Sequence, residues 1–309
     1  MREVEVIVIG GGIAGLTAAL TAARLGRAVA IFTGGVPGGE LLNIERIDGL
    51  PGHPDGIAGY DLGPIAQEMA DAAGVTFIMD EATALVVEGG RFEVSGPTEA
   101  AAGRAVILAT GATIAKLGVP GEADFAGRGV SHCASCDGPL LRGKAVVVAG
   151  GGDSGLQEAL TLARHAASVT IVEQGPALTG QKAYRDAVAA EPKIAVITGN
   201  RVAAIAGTGS VERVTLQPVG AGEAQDLAVS GVFAFTGLIP TLGPAAGLVA
   251  TDPAGLVMVD PALRTSIRGV CAAGTCRAGT GWRAASAMGD GATAAQTIEA
   301  FLARGIWHN

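Results

Sequence analysis

The sequence predicts an α/β protein built on two copies of one strand–turn–helix–strand unit, and three observations carry that prediction. At 309 residues the chain is longer than one hydrophobic core usually supports, so two domains are expected. Residues 4–33, VEVIVIGGGIAGLTAALTAARLGRAVAIFT, and residues 145–173, AVVVAGGGDSGLQEALTLARHAASVTIVE, share one order: a β-branched run, a glycine cluster, a helix rich in Ala and Leu, and a second β-branched run. Hydrophobic residues make up 49% of the chain and charged residues 16%, which excludes a disordered chain, and 49 glycines give it a close-packed character.

Taken in order, residues 4–9 read as a buried strand. The acidic residues in the opening stretch MREVEVIVIGGG and the glycines that end it argue against a secretory signal. Gly10, Gly12 and Gly15 then form G-x-G-x-x-G, with Ile13 and Ala14 opening the helix. The first glycine permits the tight turn, the second lets backbone approach a pyrophosphate, and the third lets helix and strand pack closely. The free N–H groups at the helix start favour the negative charge of that pyrophosphate. Gly150, Gly152 and Gly155 repeat the motif, with Asp153 and Ser154 opening the second helix. One such triplet fits an ordinary turn equally well; two, each in full strand–turn–helix–strand context, point to two Rossmann-like domains and two bound dinucleotides.

The ends of the second strands differ. About 20 residues past the glycines, the ribose position of an NAD site is normally acidic; the first unit has Thr33 there and the second has Glu173. An uncharged Thr33 is compatible with FAD held by other contacts. Glu173 suits NADH, because a carboxylate accepts hydrogen bonds from both ribose hydroxyls and repels the extra phosphate of NADPH by about a few kcal/mol at short range. A solvated Glu ending a strand is the plainer alternative.

The net charge is −8, with Lys and Arg scattered, so nucleic acid is not an expected partner. No apolar stretch is long enough to cross a bilayer, and a cytoplasmic location is expected. Of the four cysteines, Cys133 and Cys136 form C-x-x-C in GVSHCASCDG. In a reducing compartment such a pair is catalytic or metal-binding more often than structural. Completing a zinc site would require Cys271 and Cys276, whose gap is too wide, so no metal is expected and a redox dithiol is preferred over an inert pair. Sulfurs two residues apart close a disulfide locally, one attacking and the other resolving, and a C-x-x-C thiol reaches a pKa near ~7. His132 reads as a turn residue beside them, and Cys271 and Cys276 as small buried hydrophobes.

Beyond the dithiol, ILATGA and LGVPGE lead to C-A-x-C-D-G and then directly to the second glycine loop, with GGELLNIERIDGLPGHPDGIAGYDL upstream and FAFTGLIPT, GVCAAGT and MGDGATAA downstream. In these motifs the chain resembles the low-molecular-weight bacterial thioredoxin reductases over essentially its whole length. The resemblance implies an FAD domain of two pieces, residues 1–116 and 244–309, and an inserted domain, 117–243, that binds the nicotinamide nucleotide and carries the dithiol. It also implies thin hinges, a homodimer, and a thioredoxin-like protein or small-molecule disulfide as substrate. Cys136 is then the sulfur nearest the flavin, Cys133 the attacking sulfur, and Asp137 the acid–base carboxylate. Gly38, Gly39, Glu40, Leu41, Thr110, Gly111, Thr275, Trp282 and Arg283 join the FAD site, and Glu158 joins the nucleotide site.

Several positions depart from the family's pattern. Glu173, Gln174 and Gly175 replace the basic run that clamps the phosphate of NADPH, and no basic residue follows until Lys182. Thr275 stands where an Asp is usual, Glu40 for a Gln, Gly49 for an Asn, and Trp282 and Arg283 near an Arg-Gln pair. NADH is therefore expected over NADPH. An enzyme that uses no pyridine nucleotide, exchanging electrons with oxygen or ferredoxin, is the alternative, and a non-catalytic flavin-binding redox partner is a third reading.

Overall fold

A computed structural model describes residues 1–307. It divides into two compact units, residues 1–113 with 239 onward, and residues 114–238. The first runs through β1 (Val6–Ile9), α1 (Ile13–Arg24), β2 (Val29–Phe32), α2 (Gly59–Ala72), β3 (Thr76–Ile78) and β4 (Ala105–Leu108). The chain leaves it through β5 (Ala112–Ile114). In the second unit follow β6 (Val130–Ser131), α3 (Ala134–Asp137), β7 (Ala145–Ala149), α4 (Asp153–Ala163), β8 (Ser168–Glu173), α5 (Lys182–Ala190), β9 (Ile194–Thr198) and β10 (Gly231–Ala234). The return strand β11 (Leu238–Pro240), paired with β5, leads to β12 (Val270–Ala272) and α6 (Ala284–Arg304).

Each unit holds a five-stranded parallel sheet, β12-β4-β1-β2-β3 in the first and β6-β10-β7-β8-β9 in the second. With β7 in the place of β1 the two orders are the same. Only the origin of the edge strand differs: the first unit takes it from late in the chain, the second from the segment leading into the cysteine pair. All four residues of β1 and the last four of β7 are buried, as strands covered on both faces must be, which is why they read as unbroken apolar runs.

Side-chain alternation sorts the core into two layers per sheet. In the first unit Val6, Val8 and Ile107 pack with Leu16, Ala294 and Ile298 of α1 and α6, whereas Ile7, Ile9 and Leu108 pack with Phe92 and Val94. The latter belong to an antiparallel sheet of Ala84–Glu88, Arg91–Ser95 and Ala100–Gly103. The second unit does the same, with Leu156, Ala159 and Leu162 of α4 under one face and Val202, Val214 and Leu216 under the other. Those last residues come from the antiparallel strands Asn200–Ala206 and Arg213–Pro218.

Helices α1 and α6 run parallel and in contact. A Cβ on Gly291 would stand 2.3 Å from the Ala14 carbonyl oxygen, and just past the end of α1 Arg27 pairs with Glu299 of α6 at 2.5 Å. Because α6 starts at Ala284, roughly two turns of it, about 10 Å, run on past the start of α1. The segment LGVPGE, whose glycines are compatible with hinging, is fastened within the second unit. The Glu122 carboxylate accepts the N–H groups of Leu117 and Gly118 at 2.8 Å each, and Ile205 donates to the Pro120 carbonyl at 2.9 Å. The passages between units fall on β5 and β11.

Candidate active site: two glycine cradles and a disulfide

In the first loop Gly10 has φ +114°, and a Cβ there would stand 2.1 Å from the Ala109 carbonyl oxygen; a Cβ on Gly15 would stand 1.9 Å from that of Gly10. These two positions are fixed by the chain's own backbone. Gly12 differs, since nothing lies within 4 Å of where its Cβ would be. It precedes α1, no side chain caps that helix, and no acidic residue stands in the first turn, so the free N–H groups face an open cradle suited to a phosphate.

Several of the other residues expected around FAD lie at this loop. Gly38 donates its N–H to the Gly11 carbonyl at 2.8 Å, and the Cβ position of Gly39 lies 3.0 Å from the Gly12 Cα. Leu41 is buried, while Glu40 is exposed and among the described residues is reached by Asn43 alone. Thr33 stands beside Gly11, but its hydroxyl donates inward to the Gly35 carbonyl at 2.7 Å. Thr275 Oγ1 lies 3.7 Å from the Cβ position of Gly111, and the Thr110 hydroxyl donates to the Thr241 carbonyl. Trp282 and Arg283 sit farther along, at the overhang of α6. Trp282 is 45% exposed and holds φ +54°, a left-handed backbone uncommon for a bulky residue and frequent at functional sites.

The second loop repeats the geometry. Gly150 has φ +116° with its Cβ position 2.1 Å from the Phe235 carbonyl oxygen, that of Gly155 is 2.0 Å from the Gly150 oxygen, and Gly152 meets only Thr179 Oγ1 at 3.9 Å. A cavity of about 670 Å³ opens here, lined among others by Gly152, Glu173, Thr179, Arg201 and Lys116. Its size suits a nucleotide. Glu173 accepts the Gly151 N–H at 2.6 Å and the Gly175 N–H at 2.7 Å, one on each carboxylate oxygen. Asp153 turns to Gln181, whose N–H it accepts at 2.6 Å, and Ser154 is exposed. Arg201 and Lys116 escaped the sequence reading. They come from an antiparallel strand and from the segment after β5, so no motif spacing marks them.

Cys133 and Cys136 are joined by a disulfide, with their Cα atoms 5.3 Å apart, that closes the single turn of α3. Cys136 is exposed and Cys133 half-buried. The Cys133 sulfur accepts the Cys136 N–H at 3.2 Å and lies 3.3 Å from Ser135 Oγ, and Cys133 donates its own N–H to Ser131 Oγ at 3.1 Å. Both serines were missed by the sequence reading, though they sit within two residues of the sulfur. The half-buried Asp137 carboxylate makes no hydrogen bond or ion pair to another described residue. His132 Nδ1 lies 3.2 Å from the Ala234 carbonyl. Glu158, placed with the nucleotide by resemblance, reaches the dithiol turn: its buried carboxylate accepts the Ala134 N–H at 2.9 Å.

Cys271 and Cys276 are both buried, but in opposite layers of the first unit's core. Burial pushes both thiols above their ordinary range, keeping them protonated and inert. Among the described residues no cluster of three or more His, Cys, Asp or Glu converges as a metal site, and no helix is long and apolar enough to cross a membrane.

Comparison with known proteins agrees with this arrangement. The family model for pyridine nucleotide-disulphide oxidoreductases matches residues 4–291. Thioredoxin reductase of Treponema pallidum (strain Nichols) is 36% identical over 302 residues, 97% of each chain, and that of Streptomyces coelicolor is 38% identical over 305 residues, 97% of this chain and 94% of its own. The crystal structure of Lactococcus lactis thioredoxin reductase, in its FR conformation, gives a TM-score of 0.94 at 34% identity, covering 97% of this chain and 99% of that one. The chain therefore belongs to the pyridine nucleotide-disulphide oxidoreductase family, as a thioredoxin reductase-like, FAD-dependent disulfide oxidoreductase.

Proposed function

We propose that the first cradle holds FAD and the second a pyridine nucleotide, NADH in preference to NADPH, and that the Cys133–Cys136 disulfide passes electrons to a thioredoxin-like protein or a small-molecule disulfide. The observation that carries this reading is a disulfide closed across an exposed C-x-x-C turn in the same unit as an open glycine cradle. Bound FAD supplies the chemistry that accepts a hydride and hands on its two electrons.

The chain's own residues do the rest. The open faces at Gly12 and Gly152 take the two pyrophosphates, and Lys116 and Arg201 bring positive charge to the second. Trp282 and Arg283 are assigned to the flavin end of the first ligand. The Glu173 carboxylate is held at the cavity edge by two backbone N–H groups and keeps unused lone pairs for a ribose diol. A 2′-phosphate about 4 Å from it would pay a few kcal/mol at an effective dielectric of about 20.

In the reduced state the Cys133 thiolate attacks the substrate disulfide and releases one substrate sulfur. Cys136 then displaces the second, re-forming the bond within the protein. Asp137 returns a proton to the departing thiolate. A homodimer in the cytoplasm is the expected setting.

Replacing Cys136 with Ser tests the assignment. Disulfide turnover should be lost while nucleotide still bleaches the flavin. Persisting turnover would show that the dithiol is wrongly assigned.

A further inference from the structure

We propose that Glu158 is a positioning residue for the disulfide: its buried carboxylate holds the peptide after Cys133 in the ring-closed geometry, and so sets how readily the Cys133–Cys136 bond is reduced. This rests on the disulfide being redox-active, as proposed above.

Helix α3 has four residues, too few to be stable in isolation, so its shape is imposed from outside. Ala134 is fully buried, and its N–H needs an acceptor that water cannot supply. Glu158 Oε2 is that acceptor at 2.9 Å. The glutamate projects from α4, which the buried side chains of Leu156, Ala159 and Leu162 anchor in the core. The acceptor therefore stands on a rigid rod and not on a loop. Three other ties on the turn are longer, at 3.1 Å from the Cys133 N–H to Ser131, 3.1 Å from the Asp137 N–H to the Cys133 carbonyl and 3.2 Å from the Cys136 N–H to the Cys133 sulfur, and the last changes character once that sulfur is reduced.

Reduction requires the two sulfurs to part from bonding to non-bonded distance, which turns the chain about Cys133. The N–H held by Glu158 belongs to the very next peptide. Fixing it opposes that rotation and favours the closed ring; releasing it favours the dithiol. The same helix starts at Gly152, so one rod carries the second cradle and, about 9 Å along, the residue that fixes the dithiol turn.

The test equilibrates the full-length, flavin-loaded protein anaerobically in glutathione buffers. One protein disulfide and two glutathione thiols give one protein dithiol and one glutathione disulfide, a balanced two-electron exchange. Acid quenching, alkylation and peptide mass spectrometry read Cys133 and Cys136 separately from Cys271 and Cys276. Glu158→Gln keeps an acceptor oxygen and removes the charge; Glu158→Asp keeps the charge and withdraws the oxygen by about 1.5 Å.

Glu158→Asp should move the equilibrium toward dithiol at least fivefold, about 20 mV for a two-electron couple, while Glu158→Gln stays within twofold of the native protein. Glu158→Ala removes the contact in a second way and should follow Glu158→Asp, so the result stays readable if either variant folds poorly. Contact-removing variants that match the native protein would overturn the proposal. So would a Glu158→Gln shift as large as that of Glu158→Asp, because the effect would then belong to charge and not to position. A native disulfide that never exchanges with glutathione is a different failure, that of the redox reading itself.

Discussion

The two glycine loops share one skeleton and close in opposite ways. In each, the first and third glycines are forced by a carbonyl about 2 Å from where a side chain would begin, while the middle glycine opens onto space. Beside the first loop stands Thr33, whose hydroxyl turns away to Gly35. Beside the second stands Glu173, whose carboxylate takes the Gly151 N–H and remains at the cavity edge. Loop shape thus follows from backbone packing common to both units. In the proposed function, choice of ligand is left to the residue at the end of the second strand.

The largest effects are expected at the forced glycines. Gly10→Ala and Gly150→Ala should each cost about 3 kcal/mol or more, combining left-handed strain with a backbone clash. Urea unfolding measures both, and a tolerated substitution in one loop would show that the two turns are not equivalent.

Next come the open glycines. Gly12→Ala and Gly152→Ala should leave stability within about 0.5 kcal/mol, as substitutions that clash with no neighbour do, yet weaken ligand binding at least tenfold. Flavin retention should fail only in Gly12→Ala. Reduction by nucleotide should fail in Gly152→Ala while the protein stays yellow.

A smaller effect is expected at the strand ends. Glu173→Ala should lower the ratio of NADH to NADPH efficiency about tenfold, the worth of hydrogen bonds to a charged acceptor. Thr33→Ala, by contrast, should leave flavin affinity within about twofold, since its hydroxyl already donates to backbone. Steady-state kinetics and flavin titration check the pair.

The smallest is a difference in acid sensitivity. In the first unit Arg27 holds the Glu5 and Glu299 carboxyls below their ordinary range, and the N–H groups of Thr98 and Glu99 do the same for Asp80. In the second unit Glu212 is lowered, by Thr208. A lowered folded-state pKa gives stability that is present above the unfolded value, near 4.5 for the glutamates, and lost as pH falls through the folded value. Hydrogen exchange between pH 5 and 3 should therefore rise earlier in residues 1–113 than in 114–238, and Arg27→Met should remove much of the difference.

What the sequence made legible was local. Gly10 and Gly150 announce themselves because a left-handed turn between strand and helix admits little else, and Cys133 and Cys136 because their spacing permits a bond without help from the rest of the fold. Glu158 looked like a residue of the nucleotide helix, and nothing in its spacing says that its carboxylate reaches a backbone N–H 24 residues earlier. Arg201 is hidden for the same reason, lying on an antiparallel strand that only the tertiary fold brings to the cavity. In LGVPGE the glycines suggest freedom, while the segment is tied down by the carboxylate of its own Glu122 and by the Ile205 N–H, which reaches the Pro120 carbonyl.

Anaerobic mixing of the purified flavoprotein with NADH, and separately with NADPH, while following flavin absorbance, tests whether the second cradle takes NADH. NADH should bleach the flavin at least tenfold faster than NADPH. Bleaching by dithiols but by neither nucleotide would contradict it, leaving the second cradle without its ligand.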